Sequence, residues 1–236
     1  MSADGAAAGS PGRGLLLVLD GPEGVGKSTQ VVALVDRLRA RGRPAEHYRE
    51  PGGTPLGDAV RRLLLDPGAG EGEHPTPAAE ALLYVAARAQ LVDRLHARLA
   101  AGTVVVLDRF FLSTYAYQIA GRGLPAELVR QANRLAVGAL VPDLTLLLAC
   151  PREEAERRMR ARGALDRIEQ EAPAFHARVA AAFAAAADPD WQQRHPEVGP
   201  VAIVDAAGRV ATVAARIDRA LAARWPETFS LLDESE

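Results

Sequence analysis

Residues 15–29 constrain the fold of this chain more than any other segment. They read LLLVLDGPEGVGKST, a short apolar run followed by a glycine-rich turn and the beginning of a helix. The phosphate-loop pattern G-x-x-x-x-G-K-[ST] is satisfied by Gly21, Gly26, Lys27 and Ser28. Glycines let backbone N–H groups approach a phosphate, and the helix N-terminus adds its partial positive charge at the same point. The sequence therefore predicts a strand, a phosphate-binding loop and a helix in succession.

Two side chains of this loop have the chemistry that the motif requires. Lys27 supplies a positive charge for the β- and γ-phosphates of a nucleoside triphosphate, and the Ser28 hydroxyl can bind Mg²⁺. We expect Lys27 to lie in a solvent-open loop, so that its removal costs little stability. The segment expected to surround the phosphates comprises Gly21, Pro22, Glu23, Gly24, Val25, Gly26, Lys27, Ser28 and Thr29.

Composition and charge exclude several classes of protein. The chain has 236 residues, of which 48% are hydrophobic and 25% are charged, as in globular proteins with a buried core. Its net charge of −2 provides no basic field for nucleic acid or for an anionic membrane. The single cysteine, Cys150, excludes an intramolecular disulfide framework. Residues 1–13 lack the apolar core of a signal peptide and 15–19 is too short to span a bilayer, so we expect a cytoplasmic protein.

Short apolar runs alternate with helical patterns along the chain. Strands are predicted at 15–19, 45–49, 103–107, 144–149 and 201–204. Helices are predicted at 28–41, 55–65, 77–100, 110–119, 125–140, 152–162, 173–187 and 208–223. This alternation is typical of parallel β-α units, and the continuous hydrophobicity of 103–107 predicts helices on both faces of the sheet. Ligands of such sheets bind at the carboxyl ends of the strands.

The domain organisation expected from these patterns is simple. One domain is predicted over 14–225, with a disordered tail at 1–13 and a second tail at 226–236. Segments 66–76 and 187–200, rich in proline, glycine or both, are predicted to be loops within that domain.

Two predicted strands end in residues that can bind an anion or a metal. Asp108 and Arg109 follow the third strand, and an acidic residue there resembles the Walker B position that holds Mg²⁺, although Asp also favours turns. Arg49 ends the second strand and can point into the cleft to hold an anionic substrate. Pro51 and the glycines after it can equally serve a turn and nothing more.

The predicted helix 77–100 presents an aromatic ring and a guanidinium on one face. Tyr84 and Arg88 lie four residues apart, so one turn of helix could offer a ring for stacking and a donor for a base carbonyl. On the residues alone we favour the simpler interpretation, an amphipathic helix with a half-buried tyrosine and a solvated arginine.

An arginine-rich segment lies at 157–167. Gly163 interrupts its helix, as expected for the hinge of a mobile loop, and arginines such as Arg160 and Arg162 on a closing loop can neutralise charge on a transferring phosphoryl group. Arg157 and Arg158 can instead pair with acidic residues at helical spacing, as on a solvated helix face.

Taken together, these segments resemble the thymidylate kinase family from about residue 15 to residue 205. The blocks that carry the resemblance are 20–29, 49–54, 84–90, 108–118 and 160–171. The most specific are REPGGT at 49–54 and DRIEQE at 166–171. The resemblance implies an α/β protein with the P-loop NTPase fold, a five-stranded parallel sheet flanked by helices, a small lid at about 157–170 and a homodimer.

The resemblance also implies transfer of the γ-phosphoryl group of ATP to dTMP, with Mg²⁺ as cofactor. Two designs are known within this family, one with a catalytic arginine in the P-loop and the other with a catalytic arginine in the lid. Gly24 stands where the P-loop arginine would be, so the chain resembles the lid-arginine, bacterial design. The catalytic residues implied are Lys27, Arg109, Arg160 and Arg162, and the metal-binding residues are Ser28 and Asp108. The residues implied in binding dTMP are Glu23 for the sugar, Arg49 and Arg109 for the phosphate, Tyr84 and Arg88 for thymine, and Pro51, Thr114 and Gln118.

Two alternatives stay open on the sequence. Another nucleoside-monophosphate kinase or a nucleoside kinase would share the P-loop, and the latter would need a carboxylate near its acceptor hydroxyl, such as Glu23 or Asp108. A GTPase-like switch is disfavoured because the guanine-reading pattern Asn-Lys-x-Asp is absent from the sequence. A screen of acceptors separates the kinases, and slow hydrolysis without any acceptor would indicate the switch.

Overall fold

Five strands form one parallel sheet in the part of the chain that the structure describes. The computed structural model describes residues 13–69, 73–163 and 165–229. The strands are β1 Leu16–Asp20, β2 Ala45–Arg49, β3 Val104–Asp108, β4 Leu144–Ala149 and β5 Val201–Asp205. Their order is β2-β3-β1-β4-β5, and every neighbouring pair is parallel. All five predicted strands are confirmed, each to within one residue at either end.

The burial of each strand follows its place in the sheet. β1 and β3 are central and buried along their whole length, which explains their uninterrupted apolar sequences. The edge strand β2 alternates between less and more exposed residues, consistent with its polar sequence AEHYR. Helices pack on both faces of the sheet, which confirms the prediction made from the continuous hydrophobicity of residues 103–107.

Ten α-helices surround the sheet within the described residues. They are α1 Lys27–Ala40, α2 Pro55–Leu65, α3 Pro77–Ala100, α4 Phe111–Thr114, α5 Ala126–Val137, α6 Arg152–Arg162, α7 Pro173–Ala185, α8 Pro189–Arg194, α9 Val210–Arg224 and α10 Pro226–Phe229. Thr54 and Thr76 cap α2 and α3, each accepting a hydrogen bond from a backbone N–H three residues on, with proline at the first helical position.

Two segments differ from the sequence prediction. The helix predicted at 110–119 begins as α4 but continues as a π-helical segment, Tyr115–Gly121, whose wider turn places Tyr117 and Gln118 at the cleft. The loop predicted at 187–200 contains α8, capped by the Asp188 side chain, and a 3₁₀ turn at Pro196–Val198. Of the loop predicted at 66–76, residues 70–72 lie outside the described residues.

Two hydrophobic cores lie on opposite faces of the sheet. One packs α3, the α4–π segment and α7 against alternate residues of β1 and β3, with Leu16, Leu91 and Phe111 among its most buried members. The other packs α1 and α9 against the opposite residues, with Leu17 and Leu34 at its centre. The sheet is thus held rigidly, and the loops at its carboxyl edge are displayed on a fixed frame.

The packed chain extends beyond the predicted boundary at residue 225. α10 folds back so that Phe229 is fully buried in the core beside α9. Residues 226–229 are therefore packed and do not belong to the predicted tail, whose remaining residues, 230–236, lie outside the described residues. At the other end Arg13 pairs with Asp143, its Nη1 lying 3.1 Å from a carboxylate oxygen, and residues 1–12 of the predicted tail lie outside the described residues. No described helix has both the length and the apolar character needed to span a membrane.

Candidate active site

A large cleft opens at the carboxyl edge of the sheet, where β1, β2 and β3 end. Its volume is about 1160 Å³. One side, which we call the P-loop end, is formed by residues 23–29 and by 208–213 after β5. The other side, the arginine end, is defined by Arg49, Arg61, Arg88 and Arg109. Most residues predicted to bind a ligand line this cleft.

The P-loop packs so closely against its surroundings that two of its glycines cannot be replaced without displacement. A Cβ at Gly21 would lie 2.3 Å from the carbonyl oxygen of Leu148, and the φ of Gly21 is +141°. A Cβ at Gly24, whose φ is +77°, would lie 2.4 Å from the carbonyl oxygen of Ala155 in α6. Both positions need glycine for space as well as for backbone conformation. The P-loop is therefore in direct contact with the helix that leads into the predicted lid.

Lys27 is buried, which contradicts the prediction of a solvent-open side chain. It is only 6% exposed, because its ammonium donates to the carbonyl oxygens of Gly21 at 3.0 Å and Pro22 at 2.6 Å. Burial, together with the neighbouring Arg109 guanidinium, lowers the pKa of Lys27. The side chain curls back across the loop that it serves, so it contributes to the loop's structure as well as to its charge.

The two predicted metal-binding residues lie together. The Ser28 hydroxyl donates to a carboxylate oxygen of Asp108 in a short hydrogen bond that joins the start of α1 to the end of β3. No group of three or more His, Cys, Asp or Glu side chains suited to a metal occurs in the described residues. A hydroxyl and one carboxylate nevertheless suit Mg²⁺, which prefers oxygen ligands and fills most of its octahedron with water and phosphate.

Arg109 occupies the centre of the cleft. Its φ of +69° is positive, a conformation that non-glycine residues adopt rarely and mainly at functional sites. Its guanidinium donates to the Gly21 carbonyl oxygen at 3.0 Å, to the Ser113 hydroxyl at 2.9 Å and to Glu23 at 2.6 Å. It also lies over the Tyr117 ring, 5.0 Å from its centroid. Arg109 thus links the P-loop to the segment after β3.

Two carboxylates face Arg109 with different environments. Burial raises the pKa of Asp20, which is fully buried and accepts from the Ser113 hydroxyl at 2.7 Å. Burial alone would also raise the pKa of Glu23, but the charges of Arg109 and Lys27 outweigh it and lower this pKa to about 2. Glu23 is therefore ionised throughout the physiological range.

The arginine end contains a buried ion pair that sequence analysis did not predict. Arg88 is not the solvated residue favoured on its local pattern, because it is 3% exposed and its Nη2 lies 2.5 Å from Glu50. Its Nη1 donates to Thr114 at 2.9 Å and to Asn133 at 2.5 Å. These contacts leave one Nη2–H of Arg88 for a ligand. Tyr84, Pro51 and Gln118 also line this end of the cleft.

The lid helix α6 separates the two arginines proposed for catalysis. Arg162 lines the cleft and pairs with Glu169 on the returning segment. Arg160 points away, with a 73% exposed side chain and a distant partner, Glu156 at 3.9 Å. Positions two residues apart on a helix face nearly opposite sides, which explains the difference. The expectation that Arg160 joins the site is therefore not met in this conformation.

Two cleft residues were missed by sequence analysis. Arg158 pairs with Glu154 at 2.6 Å, as its helical spacing predicted, but it does not lie on a solvated face. It also donates to the carbonyl oxygens of Val25 at 3.3 Å, Ala206 at 3.1 Å and Gly208 at 2.9 Å. It joins α6 to the P-loop and to the loop after β5. Arg61 donates to the Pro51 carbonyl oxygen at 3.1 Å. Neither residue belongs to a recognisable motif. The presence of other arginines nearby in the sequence was the only indication that they could bind an anion.

Comparison with known proteins identifies the family to which these features belong. The model of the thymidylate kinase family matches residues 19–197. A thymidylate kinase of Synechococcus sp. (strain JA-2-3B'a(2-13)) is 46% identical over 213 residues, which cover 90% of this chain and 96% of that protein. The thymidylate kinase of Thermomicrobium roseum is 46% identical over 195 residues, or 80% and 90% of the two chains. That of Pseudomonas syringae pv. tomato is 43% identical over 219 residues, or 92% and 98%. With a P-loop, a five-stranded parallel sheet and this similarity over most of its length, the chain belongs to the thymidylate kinase family.

Proposed function

We propose that this cleft transfers the γ-phosphoryl group of ATP to dTMP, giving dTDP and ADP. Membership of the thymidylate kinase family supports the reaction. One observation supports the assignment of residues: the P-loop end and the arginine end belong to the same cleft, and Arg109 lies between them. A triphosphate and an anionic acceptor can therefore meet in line across Arg109.

The arginine end supports assignment of the acceptor phosphate to Arg49 and Arg109. Both line the cleft, and Arg49 is more than half exposed, with its ion-pair partner Asp58 at 3.9 Å. Because the acceptor phosphate is already anionic, the transfer needs no general base. Positioning and neutralisation of charge then supply most of the catalysis.

We assign Mg²⁺ to Ser28 and Asp108. The hydrogen bond between their side chains places a hydroxyl and a carboxylate oxygen within reach of one ion. When bound, the ion neutralises charge on the β- and γ-phosphates. Lys27 and the backbone N–H groups of the P-loop hold the same phosphates from the other side.

The nucleoside is assigned to the space beside Tyr84, Arg88, Thr114 and Gln118. The Tyr84 ring offers a stacking face, and the remaining N–H of Arg88 can donate to a base carbonyl. Glu23, ionised and beside Arg109, is the acceptor proposed for a sugar hydroxyl. This set of groups suits a pyrimidine that presents a carbonyl to Arg88 and rejects one that presents an amine.

An ATP-dependent assay with dTMP, dUMP, dCMP, dAMP, dGMP and thymidine tests the proposal. We expect dTMP to have the highest kcat/KM, dUMP to be weaker, and dCMP and the purines to be weaker still. Equal or better use of dCMP or a purine monophosphate would contradict the assigned base site. Preference for thymidine would indicate a nucleoside kinase, and ATP hydrolysis that needs no acceptor would indicate a switch.

We also propose that two copies associate through α2, α3 and α5. These helices pack side by side, and exposed leucines occur on all three, namely Leu56, Leu63, Leu82, Leu128 and Leu135. Replacing the largely exposed Leu135 by aspartate leaves the core intact and should shift the molecular mass in solution towards the monomer. An unchanged mass for this variant, or a monomeric parent at micromolar concentration, would contradict the proposal.

A further inference from the structure

A buried carboxylate behind the cleft connects two parts of the molecule that sequence analysis treated separately. Glu80, in the first turn of α3, is 1% exposed. Its Oε1 accepts from Gln118 Nε2 at 3.2 Å and from Arg122 Nε at 3.1 Å. Its Oε2 accepts from Arg122 Nη2 at 2.9 Å and from Arg167 Nη2 at 2.6 Å. One side chain thus contacts a residue of the proposed base site, Gln118, and a residue in the returning part of the predicted lid, Arg167.

The surroundings of Glu80 keep it ionised. Burial alone would raise the pKa of Glu80, but the hydrogen bonds and charges of Arg122 and Arg167 outweigh burial and lower it. An ionised carboxylate accepts hydrogen bonds and cannot donate them. The Gln118 amide must therefore turn its NH₂ group towards Glu80.

The orientation of Gln118 determines what the cleft presents to a ligand. Gln118 is 2% exposed and lines the arginine end. With Nε2 directed to Glu80, its Oε1 is directed to the other side of the amide, and among the described residues it receives no hydrogen bond. The side of the amide that faces away from Glu80 then offers a hydrogen-bond acceptor, while the NH₂ group is held at the Glu80 carboxylate.

This acceptor distinguishes two pyrimidines that have nearly the same shape. Thymine has an N–H donor at N3, whereas the N3 of cytosine is an acceptor. An acceptor on the protein favours the first base and leaves an unpaired, repulsive contact with the second. We propose that Glu80 is a specificity-determining positioning residue, which fixes the Gln118 amide so that the site accepts an N3–H base. This inference rests on the proposed function, since it takes Gln118 to face the base of a pyrimidine monophosphate.

The principal test is Glu80→Gln, measured as the ratio of kcat/KM for dTMP to kcat/KM for dCMP. A neutral amide at position 80 can donate as well as accept, so Gln118 is free to present either group to the base. We expect the ratio to fall about tenfold, the usual effect of losing one well-placed polar contact. A general loss of activity through disturbance of the lid would lower both values and leave the ratio unchanged.

Arg122→Gln is the matched control. Arg122 donates to both oxygens of Glu80 and pairs with Glu171 at 2.6 Å, so this variant disturbs the same ion-pair network. It leaves the contact between Glu80 and Gln118 in place. We expect the dTMP to dCMP ratio to stay within about twofold of the parent.

A rescue variant separates orientation from charge. In Glu80→Gln combined with Gln118→Glu, the carboxylate at position 118 accepts from the amide at position 80 and presents only an acceptor to the base. We expect the double variant to recover most of the dTMP to dCMP ratio that Glu80→Gln loses. N3-methyl-dTMP, which lacks the N3–H, should be a poor substrate for the parent. Its disadvantage relative to dTMP should be smaller in Glu80→Gln, because dTMP loses part of its own advantage there, while the added methyl group still needs space.

Failure of the inference about Glu80 can be distinguished from failure of the proposed function. A parent enzyme that does not prefer dTMP contradicts the proposed function itself. A parent that prefers dTMP, with Glu80→Gln keeping the ratio, overturns the role of Glu80. If Glu80→Gln does not fold, Gln118→Met, which keeps the volume without the amide acceptor, still tests the inference, because an unchanged ratio there overturns it.

Discussion

Replacement of Arg162 by alanine tests the lid-arginine mechanism most directly. Arg162 is the lid arginine that lines the cleft, and its side chain is 54% exposed and paired with Glu169. Within the described residues this ion pair joins two parts of the predicted lid and does not reach the phosphate-binding residues. Its removal should therefore affect the closed, reacting state more than the structure of the open protein.

The expected magnitude follows from the position of the guanidinium. Removing a preorganised donor that faces charge developing in a transition state costs about 10²–10³ in kcat. Because Arg162 is half exposed, solvent screens part of its effect, and we expect the lower end of that range, about 10²-fold or roughly 2.7 kcal/mol. The affinity for dTMP should change by less than about threefold, since a contact made only in the transition state leaves ground-state binding intact.

A coupled assay for ADP release at saturating ATP and dTMP gives kcat, and calorimetric titration with dTMP gives the affinity. Arg160→Ala is the matched control, because Arg160 lies two residues away on the same helix with a 73% exposed side chain. We expect this control to keep kcat within about twofold. If Arg162→Ala retained near-parent kcat, or if both variants lost activity equally, the assignment of Arg162 to the transferred group would be refuted.

Three further predictions concern the buried charges of the cleft. Lys27→Arg and Lys27→Ala should each lower kcat more than tenfold, and Lys27→Ala should also lower the free energy of unfolding by about 1–2 kcal/mol, because two hydrogen bonds to the P-loop are lost. Glu50→Ala leaves the buried Arg88 without its ion-pair partner, so thermal unfolding should occur at least about 6 °C lower; a shift below 2 °C would mean that the pair is structurally unimportant. Because the pKa of Glu23 is lowered to about 2, its ionisation stabilises the fold fully above pH 4.5 and the stabilisation is lost as pH falls towards 2. Chemical denaturation should therefore show a pH dependence between pH 4.5 and 2 that is weaker in Glu23→Gln, by up to about 3 kcal/mol.

The sheet and the P-loop could be predicted from the sequence because their signals are local. The apolar runs at 15–19 and 103–107 need only a few neighbouring residues to be recognised, and the structure places the corresponding strands side by side. Asp108 was predicted to bind Mg²⁺ because it ends an apolar strand as a Walker B acid does, and the structure places it beside Ser28 of the P-loop. The family resemblance, carried by REPGGT and DRIEQE, is confirmed by the family model and by relatives about 45% identical over most of the chain.

The remaining features depend on contacts between distant parts of the chain. Arg88 pairs with Glu50, 38 positions earlier, so its own helix pattern could not reveal that it is buried. Lys27 appeared to be exposed because glycine-rich loops usually are, whereas its ammonium folds onto the loop's carbonyl oxygens. Likewise, Arg160 and Arg162 are equivalent in sequence, and only the rotation of α6 about its axis against the P-loop distinguishes them.

The close approach of Gly24 to α6 also limits how this enzyme could change by mutation. Residue 24 is a glycine, and the family resemblance implies that the alternative design has its catalytic arginine at this position. Any side chain there would have its Cβ 2.4 Å from the carbonyl oxygen of Ala155, on the same helix that ends at Arg162. An arginine could be accommodated only if α6 moved away, and that movement would displace the lid arginine. We therefore expect that an arginine introduced at position 24 alone would disturb the proposed lid site, and that the P-loop and α6 of this chain would have to change together.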